Sequence, residues 1–158
     1  MKNTSLDRYD RAILSLLQKN ANLGLNDIAE KIKLSATPCW RRIQKLEAAG
    51  IIRKRVALLD AMRLNLGVTV FVAVRTNQHN AAWLERFATS VSAVPEVMEI
   101  YRMSGEVDYL LKVVVPDIGG YDAVYKKIIS RVELQDVSSS FAMEQLKYTT
   151  ELPLEYAK

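Results

Sequence analysis

Cysteine and histidine are nearly absent: the 158 residues hold one of each, Cys39 and His79. One cysteine cannot close a disulfide within the chain, and one thiol with one imidazole falls short of a structural zinc set, so no metal site is expected. With six glycines and four prolines the chain does not read as disordered. No apolar run approaches the ~18 residues that a membrane span needs. The stretch Met1 to Asp10 is polar and lacks the apolar core of a signal peptide. These absences predict a cytoplasmic protein with no membrane partner and no cofactor. Catalytic signatures are missing as well: there is no Ser/His/Asp, Cys/His, paired-carboxylate or glycine-rich phosphate pattern. His79 lies in the polar run Asn77-Gln78-His79-Asn80, where an exposed or capping role is expected rather than catalysis.

What the chain does have is enough apolar residue, 49%, to bury a core, and an uneven distribution of charge. Residues 1–65 carry 13 Lys+Arg against 6 Asp+Glu, a net of +7. Residues 66–158 carry 9 against 12, a net of −3, and the two sum to the overall +4. A basic half joined to a mildly acidic half points to a polyanion met by the first half alone.

The basic half reads as three helices and a wing. Leu6, Tyr9, Ile13, Leu16 and Leu17 recur at helical spacing, with Asp7 as N-cap and Asp10 in the first turn. A short helix follows over about 26–32, and Lys33-Leu34-Ser35 makes a tight connection. A further helix ends near Ala49, with Gly50 as the residue just beyond it and either Ser35 or Thr37 as its cap. Two wing strands are expected over Ile51–Arg55 and Val56–Leu59. The predicted domains are 1–60, a linker 61–67, and 68–158.

The second half alternates strand and helix signals. Val68, Val70, Val72 and Val74 alternate with Thr69, Phe71, Ala73 and Arg75. A helix carrying Trp83, Leu84, Phe87, Ala88 and Val91 follows, then strands over Val97–Met103 and Tyr109–Val115. The apolar run of the latter predicts burial on both faces. Pro116 and Asp117 open a helix, and a last strand is expected over Val137–Lys147. The order βαββαβ is the ferredoxin-like plan, so the whole is an α+β chain: a winged helix-turn-helix followed by a ferredoxin-like domain.

In a helix-turn-helix the second helix enters the major groove. Cys39, Ile43 and Leu46 fall at i, i+4 and i+7, which points them inward and makes Cys39 a small buried hydrophobe. The opposite face carries Thr37, Arg41, Gln44 and Lys45, residue types that contact base edges and phosphates. Trp40 lies on the flank, either against DNA or packed at the domain edge. Arg42 lies nearer the core side, suited to a phosphate or an internal salt bridge. Arg53, Lys54 and Arg55 place cations in the wing.

The run Leu34-Ser-Ala-Thr-Pro-Cys-Trp-Arg-Arg-Ile-Gln-Lys-Leu-Glu47 with Ala-Gly-Ile-Ile52 resembles the recognition helix and wing entry of the leucine-responsive/asparagine-responsive regulator (Lrp/AsnC) family. Val56-Ala-Leu-Leu-Asp60 resembles its linker strand. Gly105-Glu-Val-Asp-Tyr-Leu-Leu-Lys112 resembles its effector loop, and Ser139-Ser-Phe-Ala-Met-Glu-Gln-Leu-Lys147 resembles its closing strand. The resemblance implies a second domain of the family's effector-binding (RAM) type. It implies homodimers built through that domain, commonly assembled into octamers, and an amino-acid effector held at contacts between dimers. The implied effector residues are Met103, Gly105, Val107, Asp108, Tyr109, Ile118, Ser139, Ser140 and Ala142. Val107 departs from the Tyr, Phe or polar residue that members often carry there. Chemistry fits the site: Asp108 can accept from an ammonium group, and backbone N–H groups near Gly105 or the hydroxyls of Ser139 and Ser140 can donate to a carboxylate.

The expected function is a regulator that binds specific double-stranded DNA under the control of a free amino acid, associated with the nucleoid. The alternative is an effector-independent DNA-packaging protein of the same fold.

Overall fold

The computed structural model describes residues 5–78 and 80–157; His79 and its expected role lie outside them. The chain divides into two compact units, Met1–Leu58 with Lys147–Lys158, and Leu59–Leu146.

The first unit holds helices α1 (Arg8–Lys19), α2 (Leu25–Lys31) and α3 (Ala36–Ala48). Helix α1 starts where the sequence places it. Asp7 accepts from the Tyr9 and Asp10 N–H groups, and the Asp10 side chain accepts from the Asp7 N–H, a reciprocal capping box. Ser35 takes the N-cap position of α3 without a side-chain cap bond. Helix α3 ends in a Schellman motif: Gly50 N–H donates to Glu47 O at 2.9 Å and Ile51 N–H to Leu46 O at 3.0 Å. The motif needs a left-handed residue, and Gly50 has φ +71°. Ile13, Ile28, Cys39, Ile43 and Leu46 form the core of this unit.

Two expectations fail here. The wing strands Ile51–Arg55 and Val56–Leu59 do not form; the segment is extended and mostly exposed, with no ladder. Nothing between Arg55 and Val56 supplies the Gly or Asn that a two-residue hairpin turn demands, and an isolated hairpin is marginal in water. The segment 147–158, expected with the second domain, groups with the first unit instead.

The second unit is a four-stranded antiparallel sheet in the order β2-β3-β1-β4. Its strands are β1 (Val68–Arg75), β2 (Val97–Arg102), β3 (Tyr109–Val115) and β4 (Asp136–Phe141), and its helices are α4 (Ala81–Ser92) and α5 (Ile118–Ile129). Asn80 caps α4 by accepting from Trp83 N–H, and Asp117 caps α5 by accepting from Gly120 N–H at 2.7 Å. Val70, Val72, Val74, Leu111 and Val113 pack on Trp83, Phe87, Val91, Val124 and Ile128. Trp83 stacks on Phe87 at 5.0 Å between ring centroids.

Strand β3 is buried on one face only: Tyr109, Leu111, Val113 and Val115 are inside, while Leu110, Lys112 and Val114 are half-buried. Helices cover a single face of this sheet, so its pleat alternates despite the apolar run. Strand β4 stops at Phe141 rather than Lys147. Ala142 N–H reaches Thr69 O, and β1 begins at Val68, so no ladder partner remains beyond it.

Candidate DNA-reading face and effector loop

Helix α3 is two-sided as its spacing predicts. Cys39, Ile43 and Leu46 are buried, and Thr37, Trp40, Arg41, Gln44 and Lys45 are exposed. Trp40 is 51% exposed, which places it on the solvent side rather than in a domain edge. Burial raises the Cys39 thiol above its ordinary value of 9.0, which favours the protonated, less reactive form.

Arg42 is engaged inward. Its Nη1 lies 2.7 Å from Asp7 Oδ2 and 2.8 Å from Asp10 Oδ1, and its guanidinium sits 5.2 Å over the Tyr9 ring. The Asp10 hydrogen bond is the main reason its pKa rises further. The pair fixes the rotation of α3 against α1, so Arg42 holds the outward face in place.

Glu47 has a role that face analysis alone missed. Gln44 Nε2 donates to its Oε2 at 2.9 Å and Arg55 Nη2 to its Oε1 at 3.2 Å. The carboxylate therefore gathers two expected DNA contacts at the end of α3. The i, i+3 spacing of Gln44 and Glu47 was the available signal. Arg53 and Lys54 are exposed beside it.

The loop between β2 and β3 is tightly held. Met103 N–H donates to Asp108 O at 2.8 Å, Asp108 N–H to Val74 O at 3.1 Å, and Arg75 Nε to Glu106 O at 2.8 Å. Asp108 Oδ2 accepts from Thr76 N–H at 2.8 Å, so this carboxylate also anchors the end of β1. Gly105 adopts φ +112°, a conformation that side chains strain against. Met103 is exposed, Val107 is half-buried, and Tyr109 faces the core against Phe87 at 4.7 Å.

The remaining implied effector residues lie elsewhere. Ile118 is 71% exposed at the start of α5, after the end of β3. Ala142 pairs with Thr69 at the start of β1, whereas Asp108 pairs with Val74 near its end. These groups stand roughly 17 Å apart along the strand, at about 3.4 Å per residue. Ser139 and Ser140 point to opposite faces. Ser139 Oγ hydrogen-bonds the hydroxyl of buried Tyr121, whose pKa burial raises, and Ser140 is exposed opposite Phe71. A single copy of this unit does not gather the set into one pocket.

Among the described residues, no cluster of His, Cys, Asp and Glu could hold a metal ion, and no helix is long and apolar enough to cross a membrane.

Residues 6–53 match the winged helix-turn-helix DNA-binding family, and residues 69–152 match the Lrp/AsnC ligand binding domain. A glutamate uptake regulatory protein of Zymomonas mobilis is 51% identical over 149 residues, 94% of this chain and 91% of the relative. A crystal structure of an AsnC family transcriptional regulator from Agrobacterium tumefaciens superposes with a TM-score of 0.93 at 62% identity, covering 96% of this chain and 99% of that one. A transcriptional regulator from Neisseria meningitidis, in complex with L-methionine, superposes with a TM-score of 0.90 at 38% identity, covering 96% and 99% of the two chains. Its two-part fold, its recognition helix and these matches along nearly its whole length place the chain in the Lrp/AsnC family of DNA-binding transcription regulators.

Proposed function

We propose that this regulator reads specific double-stranded DNA through the outer face of α3, and that a free amino acid bound by the 59–146 unit modulates its DNA binding or assembly. The two-sidedness of α3 carries the first part. An exposed face of Thr37, Trp40, Arg41, Gln44 and Lys45 over a buried Cys39, Ile43 and Leu46 fits a major groove. Arg41 and Gln44 address base edges; Lys45, Arg53, Lys54 and Arg55 address phosphates. Arg42, committed to Asp7 and Asp10, positions the helix instead.

The effector part is supported by the match to a ligand-binding domain and by the methionine complex of the Neisseria relative. Asp108 offers its charge to the ligand's ammonium group, and the Gly105 turn offers close backbone approach. Met103 and Val107 lie on that loop, and Tyr109 follows it with its ring turned into the core. Because Ile118 and Ala142 lie at the far end of the sheet, a site using both groups draws on two copies. That geometry supports a site shared between copies, and homodimers assembled into an octamer are what the family resemblance implies. Such a protein works on the nucleoid in the cytoplasm.

A thermal-shift screen of the chain against the twenty amino acids tests this reading. One of them should raise Tm, since a ligand at 100 times its Kd adds about 2.7 kcal/mol. Asp108→Asn keeps an acceptor for Thr76 N–H but removes the charge, and should abolish the shift. A flat screen contradicts the effector reading and leaves a DNA-packaging protein of the same fold.

A further inference from the structure

The segment 147–158 follows the 59–146 unit in the chain yet packs on the DNA-reading unit. Its attachment is specific. The Gln18 amide makes a two-point latch with Leu152: the Leu152 N–H donates to Oε1 at 2.7 Å, and Nε2 donates to the Leu152 carbonyl at 3.2 Å. Arg11, seven residues earlier and so on the same side of α1, donates from Nη2 to Ala157 O at 2.9 Å. The 3₁₀ turn Leu154–Tyr156 lies between these points, and Leu154 and Ala157 pack on the apolar cluster that seats α3.

The connectivity gives this packing a consequence. The 59–146 unit is joined to the reader by chain at both of its ends, at Leu58 and at Lys147. Residues of both connections line one cleft of about 780 Å³: Ile51–Leu58 from the first, Thr150, Leu152 and Leu154 from the second, together with Leu14, Leu17 and Gln18 of α1. A domain held by one linker can turn without loading its neighbour. A domain held at both ends transmits any change in the separation of Leu59 and Leu146 to both connections that line this cleft.

We infer that segment 147–158 is a strap, a second tether through which the 59–146 unit sets the DNA affinity of the reader. Leu152 is 72% exposed, so hydrogen bonds rather than burial hold the latch, and it can open locally while the unit stays folded. When it is closed, Leu154 braces the cluster containing Ile13, Ile43 and Leu46, which carries both α1 and α3. When it opens, that support is withdrawn from the inner side of the reading helix. The inference rests on DNA reading by α3 and not on the effector, and Gln18 and Leu154 lie outside the reading face.

The test uses the whole chain and a duplex that the wild type selects from a random-sequence pool. Gln18→Ala and Leu154→Ala are compared with wild type by hydrogen exchange over residues 148–157 and by duplex titration at several salt concentrations. Gln18→Ala should speed exchange at Leu152 roughly tenfold, the factor of one ordinary net hydrogen bond. Affinity for the selected duplex should fall in both variants as the closed fraction falls, with the salt slope unchanged because no phosphate contact is removed. Wild-type affinity in both variants overturns the strap, as does unchanged exchange at Leu152 in Gln18→Ala. Should Leu154→Ala fail to fold, Gln18→Ala alone decides. A wild type that selects no duplex would instead sink DNA reading itself, an outcome visible before any variant is made.

Discussion

Arg42 on the recognition helix and Asp10 on the first helix form an ion pair at 2.8 Å, with the Asp10 side chain only 4% exposed. A charge this buried is tolerable because it is doubly satisfied, by Arg42 and by the Asp7 N–H at 3.2 Å. The pair ties α3 to α1 beside the apolar core that the two helices share.

Arg42→Ala should therefore destabilise the chain by about 2–3 kcal/mol, because it leaves Asp10 buried without its cation. Arg41, one position along and exposed, should cost less than about 0.5 kcal/mol when truncated. Chemical denaturation of the two variants separates the clamp from the reading face. Equal stabilities would show that the ion pair contributes nothing to the fold.

The cap of α1 should give the chain an acid-sensitive edge. The Asp10 N–H, then Arg42 and the Tyr9 N–H, hold the Asp7 carboxyl below its ordinary 3.8. A depressed carboxyl stabilises the fold fully above its unfolded value and loses that contribution as pH falls through the lower folded value. Asp7→Asn keeps a good N-cap but cannot pair with Arg42. Its stability should follow wild type more closely at pH 3 than at pH 7. A constant difference across that range would remove Asp7 from the acid response.

Cys39 should report opening of the reader. It is fully buried, and burial raises its thiol above 9.0. Alkylation at pH 8 should be slow in the native state and should accelerate in proportion to the unfolded fraction as urea is added. Fast labelling without denaturant would mean that α3 separates readily from α1 and α2.

Much of this was legible in the residues because it is local. Asp7 and Asp10 at N-cap and N3, Gly50 after the last turn of α3, and the i, i+4, i+7 set of Cys39, Ile43 and Leu46 each state their geometry within a few positions. The alternating β1 and the bounds of β3 were legible for the same reason. What stayed hidden depends on partners distant in the chain. The Gln18–Leu152 latch spans 134 residues and follows no periodicity, so segment 147–158 read as part of the second domain. The end of β4 was set by where β1 begins, which no property of residues 142–147 announces. Ser139 and Ser140 carry the same chemistry, and only the pleat sends one to Tyr121 and the other to solvent.

On the proposed function, the outer face of α3 reads sequence while the adjacent basic segment holds phosphates. Duplex-binding titrations across a salt series, with the selected site and single-base variants of it, test this most directly on wild type, Arg41→Ala and Lys54→Ala. Arg41→Ala should lose about 1–3 kcal/mol of discrimination at one base pair. Lys54→Ala should weaken binding to every duplex alike and lower the salt slope by about one. Undiminished base preference in Arg41→Ala, with Lys54→Ala keeping the wild-type slope, would remove DNA reading from this face of α3.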